Sequence, residues 1–432
     1  MTTPGSKTRD PRGVQFEIAG DRVLARVKAH SSRFIKMTVV APAATAKRER
    51  PAARIAFVLD RSGSMGGDKI KHARMAILKG IGMLTSRDEF AVIAFDDQID
   101  TVVPLTGARE GRRIAESAVE RIEARNNTNL FDGYLSGAKE IGGEAKGDTV
   151  RRIILVSDGQ ANAGVTSPSE LGRHASELRL RGVSTATLGI GDGYDERLMS
   201  AMAMNGGGPA RFTGEADGIA KAIADCVGEA LTVTLQAAEV VVRVPGAVFE
   251  LLSGGEATAS QGEIRVALGD MAESQEREVV LRVRLPLGSL GGQVDLAAEL
   301  HGRAAGGEQV LEHQAFTWTF ADTAANDVQP RNREVDHVVA QLYAGRAREH
   351  AIDLNRRGEF DRAHDEMLRI ANRIALYAGS DRTLLKLVVD LQREAEEWGT
   401  EQVERFRKNS HHVMMNMRTT REVDGSARRR VR

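Results

Sequence analysis

The chain has 432 residues, too many for one ordinary hydrophobic core, so two or three domains are expected. Lysine plus arginine equals aspartate plus glutamate at 60 each, which gives overall charge no part in nucleic-acid binding. The single cysteine, Cys226, excludes an intramolecular disulfide and favours a reducing compartment. The opening MTTPGSKTRDPRGVQFEIAG lacks an apolar core and cleavage pattern, and no run of about 18 apolar residues follows anywhere. A cytoplasmic chain without a membrane span is expected.

A polar lead-in, residues 1–13, comes first and is expected to be disordered. Residues 14–50 hold two alternating runs, Val14 to Ala29 and Arg33 to Ala41, the first broken at Gly20-Asp21. Such alternation suits a half-buried antiparallel hairpin. A basic, alanine-rich linker, Thr45 to Arg50, separates this hairpin from a different texture.

In residues 51–230 the apolar runs IAFVLD, FAVIAF, RIILVSD and VSTATLGIG alternate with amphipathic stretches such as Asp68–Leu84. Continuous apolar strands between helices predict a mostly parallel sheet covered on both faces. TVVPL follows FAVIAF after only a short turn, too short for a parallel crossover, so it is expected as an antiparallel edge. Ser167-Pro168-Ser169-Glu170 reads as a capping box opening a helix that runs to Arg181.

Residues 231–322 return to period two in VVLRVRL, VDLAAEL and FTWTF, a β-sandwich signature. A two-stranded hairpin is marginal alone. The fold class expected is therefore α/β plus β plus α: the α/β domain inserted into a β-sandwich whose strands come from both sides of it, followed by a helical domain. Residues 323–420 supply those helices, three or four of them, punctuated by Gly358, Gly379 and Gly399. RGEFDRAHDEMLRIANRI looks like half of a tetratricopeptide-type repeat, and a single copy makes no array. The basic tail, residues 421–432, ends in SARRRVR and is expected to be disordered and solvated.

Chemistry concentrates in three loops. Asp60-Arg61-Ser62-Gly63-Ser64 ends the first strand of the α/β region, where open α/β sheets place ligands. Asn126-Asn127-Thr128-Asn129 precedes a helix, and Ser157-Asp158-Gly159 ends another strand. All the candidate ligands are oxygens, which predicts a hard cation. Asp96 and Asp97 read as a turn, Cys226 as a small buried residue.

DRSGSM, NNTNLFDG, VSDGQANAG and TLGIGDGYDERLM resemble, in order and spacing, the von Willebrand factor type A (VWA) domain of integrins and many bacterial proteins, with a metal-ion-dependent adhesion site (MIDAS). The look is most similar to bacterial homologues of calcium-activated chloride channels. The resemblance spans roughly Val14 to Phe320 and implies a Rossmann-like domain. It implies Ser62, Ser64 and Thr128 as direct ligands of Mg²⁺, with Mn²⁺ or Ca²⁺ as alternatives, and Asp60 and Asp158 opposite, acting largely through water. Arg61, Asn126 and Asn127 depart from the family pattern and are expected on the partner-binding rim. The implied function is capture of an Asp or Glu from a protein partner, with no catalytic residue. Two alternatives stand beside it: a structural or oligomerising scaffold that the ion only stabilises, and a metal-dependent phosphoester hydrolase, which would need a second metal or a base that the metal loops do not show.

Overall fold

The computed structural model describes residues 8–9, 13–44, 49–144, 147–422 and 424–430. Most of the 1–13 lead-in, and linker residues 45–48, fall outside that set. The part of the lead-in that is described contradicts a disordered segment: β1 (Thr8–Arg9) pairs with the start of β2 (Gln15–Gly20). β3 (Leu24–Arg26) and β4 (Ser32–Val40) follow.

The α/β unit runs β5 (Ala53–Asp60), α1 (Asp68–Gly82), β6 (Glu89–Phe95), β7 (Ile99–Gly107), α2 (Ala108–Val119), α3 (Leu130–Ile141), β8 (Val150–Ser157), α4 (Pro168–Leu180), β9 (Val183–Ile190), α5 (Glu196–Asn205), β10 (Gly207–Thr213) and α6 (Gly218–Leu231). Its sheet order is β10-β9-β8-β5-β6-β7. Every pairing is parallel except β6 with β7, the antiparallel edge that the short turn demands. The central strand shows why its sequence is apolar throughout. Ile55, Phe57 and Leu59 face one core with α1 and α6, while Ala56 and Val58 face another with α3 and α4. Small residues let α3 approach closely: a Cβ at Gly137 would come within 2.5 Å of Val58 Cγ2, and one at Gly133 within 2.6 Å of the Phe95 ring.

The expected capping box at α4 does not form. Ser167 Oγ lies 2.9 Å from Ser169 Oγ and caps no backbone N–H, since the neighbouring hydroxyl takes up its hydrogen bond in place of the helix N–H groups. The chain also leaves α1 two residues before Leu84, which stays buried.

Beyond α6 come β11 (Val233–Arg243), β12 (Val248–Leu251), β13 (Glu256–Ser260), β14 (Glu263–Ala272), β15 (Glu276–Arg284), β16 (Gln293–Ala304) and β17 (Gln309–Ala321). Together with the N-terminal strands they form two sheets, ordered β1-β2-β4-β15-β12 and β13-β14-β11-β16-β17-β3. β4 pairs along its whole length with β15, from Ser32 opposite Arg284 to Val40 opposite Glu276. Phe16, Ile35, Met37 and Val39 from before the α/β unit share one core with Val240, Leu281, Leu300 and Trp318 from after it.

The helical end comprises α7 (Thr323–Val328), α8 (Arg333–Arg356), α9 (Phe360–Ala378), α10 (Arg382–Trp398) and α11 (Glu404–Arg418). Val335, Val339 and Leu342 of α8 pack on Leu252 and Val280 of the adjoining sheet. α11 reaches the α/β unit: Lys408 donates to the Tyr194 carbonyl and to Glu196, and His411 Nε2 lies 3.1 Å from Ser200 Oγ. The tail is not a free solvated segment through residue 430. Arg428 pairs with Glu276 and Glu278, Arg429 with Glu273, and Arg430 with Glu17 and Glu276, because β2, β15 and the turn before β15 present carboxylates that the arginines neutralise. No helix among the described residues is long and apolar enough to cross a membrane.

Candidate metal centre

Three loops meet at the carboxyl edge of the α/β sheet. β5 delivers Asp60, fully buried, and then turns through Ser62 and Ser64 into α1. β8 delivers Ser157 and Asp158. The loop before α3 delivers Thr128, and it is tied to the first loop by Gly63 N–H donating to the Asn126 carbonyl at 3.1 Å and Arg125 N–H to the Arg61 carbonyl at 2.7 Å. Asn162 grips Thr128 from the other side, its Oδ1 accepting the Thr128 N–H at 2.9 Å. These backbone ties fix the loops before any ligand arrives.

The five expected ligand residues are brought together. Ser62 Oγ is 3.2 Å from Ser64 Oγ, which donates to Asp158 Oδ1 at 2.7 Å. Asp60 Oδ1 accepts the Ser62 N–H at 2.8 Å, and its Oδ2 accepts the Ser157 hydroxyl at 2.5 Å. A Cβ placed on Gly159 would lie 3.5 Å from Thr128 Oγ1, 3.6 Å from Ser64 Oγ and 3.8 Å from Asp60 Oδ2, so oxygens from different loops surround one small space. Burial pushes the Asp60 carboxyl up to about 6, with the like charge of Asp158 adding to it against hydrogen bonds from Ser157 and Ser62. Two carboxylates and three hydroxyls, all oxygen, suit a hard divalent cation. Among the described residues no cluster of three or more His, Cys, Asp or Glu offers an alternative metal centre.

Of the residues expected on the rim, Asn126 and Asn127 are exposed, and Asn126 sits at φ 57° with its Nδ2 donating to Asp97 Oδ1 at 3.0 Å. Arg61 is not a rim residue. It is buried, and its guanidinium pairs with Asp96 at 3.1 Å and Asp100 at 2.6 Å, drawn inward because Asp96 is completely buried and needs a counter-charge. Asp96 also accepts the Gln98 N–H at 2.9 Å and Arg125 Nε at 2.6 Å, which accounts for it as the anchor of the β6–β7 turn.

One residue at the site was missed. Lys69, in the first turn of α1, forms an ion pair with Asp158 Oδ2 and donates to the Ser64 carbonyl at 3.2 Å. A readable signal existed: a lysine beside the positive end of a helix dipole is unfavourable unless a carboxylate faces it.

The family model for the von Willebrand factor type A domain matches residues 55–221. Residues 55–221 are a VWA domain. Over 179 residues the chain is 33% identical to an uncharacterized protein of Synechocystis sp., covering 41% of each chain. Over 162 residues it is 31% identical to inter-alpha-trypsin inhibitor heavy chain H4 of Sus scrofa, covering 36% of this chain and 18% of that one. The chain thus matches less than half the length of these curated relatives. Among solved structures, a von Willebrand factor type A protein from Catenulispora acidiphila superposes with TM-score 0.71 at 18% identity, over 96% of this chain and 91% of that one. The ArnB paralog VWA2 from Sulfolobus acidocaldarius gives TM-score 0.63 at 14% identity, over 94% and 98%. These two show a shared fold well beyond the VWA domain, including additional strands and a C-terminal helical region. VWA domains mediate protein–protein interactions and often bind a divalent metal at the MIDAS.

Proposed function

We propose that this chain is a metal-dependent protein-interaction module that captures an acidic side chain of a partner through a divalent ion, Mg²⁺ first among the candidates. Ser62, Ser64 and Thr128 would hold the ion directly, and Asp60 and Asp158 would hold it from the opposite side. The observation that carries this reading is the convergence of Thr128 Oγ1, Ser64 Oγ and Asp60 Oδ2 on one small space beside Gly159. Neutral hydroxyls leave much of the ion's charge unneutralised, so the bound ion would supply an electrophile for an incoming carboxylate. Asn126 and Asn127 flank it as exposed polar groups able to contact the partner.

The hydrolase alternative has little to draw on. A second metal would need free carboxylates, and Asp96 is committed to Arg61 and Arg125. In the same reading the VWA domain, taken as 51–230, is an insert in a β-sandwich built from 14–50 and 231–322, with 323–420 as a helical domain. The continuous β4–β15 pairing and the common core support that division. The lone buried Cys226 suits a reducing compartment.

Ser62→Asp tests the interaction reading. The added carboxylate should keep the ion bound while quenching its attraction for an external one. Binding of an Asp-containing peptide series is measured by calorimetry with wild type and Ser62→Asp at matched metal occupancy. Mg²⁺-dependent binding by wild type alone is expected. Equal binding by both proteins would mean that the ion does not bridge, and the scaffold reading would replace this one.

A further inference from the structure

A cavity of about 340 Å³ lies at the opposite pole of the VWA domain from the metal loops, against the neighbouring sheet. It is lined by residues at the start of β8 and β9, by Arg179 at the end of α4, and by Gln236, Asp270 and Arg303 of the sheet unit. Its volume falls within the roughly 300–1,000 Å³ typical of small-molecule sites.

Among the described residues the lining brings together three guanidinium groups, Arg151, Arg179 and Arg303, with the carboxylates Asp270 and Glu144. Arg151 donates to the carbonyls of Gly142 and Arg181, at 3.2 and 2.6 Å. Arg152, buried behind the wall, donates to Ser184 Oγ and the Cys226 carbonyl, at 3.1 and 3.4 Å. Arg303 comes from the opposite wall. Arg179 does have a carboxylate, Glu256 at 2.5 Å, yet its Nη1 is buried with no hydrogen-bond partner among the described residues. With that pair set aside, Asp270 faces Arg151 and Arg303, a formal excess of one positive charge, while Arg152 stands outside the lining and in the field of Glu229. Burial pushes the Asp270 carboxyl up, against the hydrogen bond from the Ala237 N–H and the attraction of Arg152, Arg303 and Arg151. Glu144 lines the rim but is exposed, where water screens it.

Glycines make room for this charge. A Cβ on Gly182, at φ +78°, would come within 2.9 Å of Arg151 Nη2, and one on Gly207, at φ +74°, within 2.9 Å of Arg179 Cδ. Burial and the repulsion of Arg54 and Arg303 depress Arg151, and burial depresses Arg179. Guanidinium forks match oxyanions geometrically, and an anionic group would offset the excess. We propose that this cavity is a binding site for a small molecule carrying phosphate groups, held by Arg151, Arg179 and Arg303 at the junction of the VWA domain and the adjoining sheet.

The test is calorimetric titration of the metal-free full chain with pyrophosphate, with potassium chloride at matched ionic strength as the control. Saturable one-to-one binding of pyrophosphate is expected, with no saturable heat from chloride. Arg303 is exposed, so Arg303→Gln should fold normally and weaken binding by about tenfold, the scale of one lost charge-assisted hydrogen bond. Arg151→Gln should do the same, and Arg265→Gln, on an exposed strand face elsewhere, should not. Absence of saturable binding, chloride matching pyrophosphate, wild-type affinity in both cavity variants, or equal loss in Arg265→Gln would each overturn the proposal.

Discussion

Gly159 shows how one missing methyl defines a site. Its position is open only because three oxygens around it stand 3.5 to 3.8 Å away, ordinary contact distances for a carbon. Gly159→Ala should therefore fold with near-wild-type stability while the added methyl intrudes on the space where an ion would sit. Titration with Mn²⁺ should show affinity falling by tenfold or more, while the thermal midpoint moves by less than about 2 °C, the range of a surface substitution. Lys69 makes the complementary case. Its ammonium already pairs with Asp158 and so competes with a divalent ion for the same carboxylate. In Lys69→Met, Mn²⁺ affinity should rise by several-fold, and the chelated protein should lose stability because buried Asp158 loses its counter-charge. Unchanged Mn²⁺ affinity in Lys69→Met would show that the lysine does not contest the site.

At the level of elements, α11 joins the helical end to the VWA domain through buried polar contacts, and these carry a pH dependence. Burial holds His411 down at about 4, with Arg356, Arg197 and His412 adding repulsion against the attraction of Glu196. Burial likewise holds His412 at about 4, with Arg211 opposing and Asp424 favouring the charged form. The unfolded chain takes up protons near 6.5 and the folded chain only near 4. Between those values the unfolded state binds more protons, so stability is complete above about pH 6.5 and falls as pH drops toward 4. Each histidine then costs about 2 kcal/mol on going from pH 7 to 5, as an order of magnitude. Urea denaturation at the two pH values should show the loss, and His411→Gln should remove about half of it. A pH-independent midpoint across this window would contradict the buried, neutral state of these rings.

Across the whole molecule, the C-terminal segment acts as a clasp. Arg421 reaches back to Glu229 of α6, at 3.0 and 3.1 Å, where Arg211 of β10 joins it at 2.8 Å. Burial pushes the Glu229 carboxyl up, but Arg421 and Arg211 outweigh it and hold it below the usual range. Arg421→Met should leave a buried carboxylate with half its compensation, at a cost of about 3 kcal/mol. Guanidinium denaturation measures this directly, and a change below about 1 kcal/mol would show that the clasp is replaceable by solvent. Arg428 and Arg430 extend the same closure onto β15 and β2, which ties the last described residues to the first sheet.

Much of this was legible in the residues. The apolar runs IAFVLD and RIILVSD mark strands covered on both faces, because a parallel sheet leaves no polar side, and both became central strands of the α/β sheet. The short Asp96–Asp100 turn required the antiparallel edge, since chain length alone forbids a crossover. The convergence of Asp60, Ser62, Ser64, Thr128 and Asp158 was readable because these proposed ligands come from short motifs at two strand ends and one helix start, where backbone geometry places them with little help from distant packing. Arg61 could not be placed that way. Whether a side chain beside the metal loop points outward or inward depended on Asp96, 35 residues away and fully buried, which only the folded packing put within its reach. Lys69, at a helix N-terminus, signalled that some carboxylate must face it, but that the carboxylate is Asp158 was set only when another strand brought it there. The tail misled for the same reason: three consecutive arginines read as solvated until the fold set Glu17, Glu273 and Glu276 from separate strands and turns beside them. Local pattern carries hydrophobic periodicity and turn length, whereas the direction of a long charged side chain is fixed by which opposite charge the chain's return brings near.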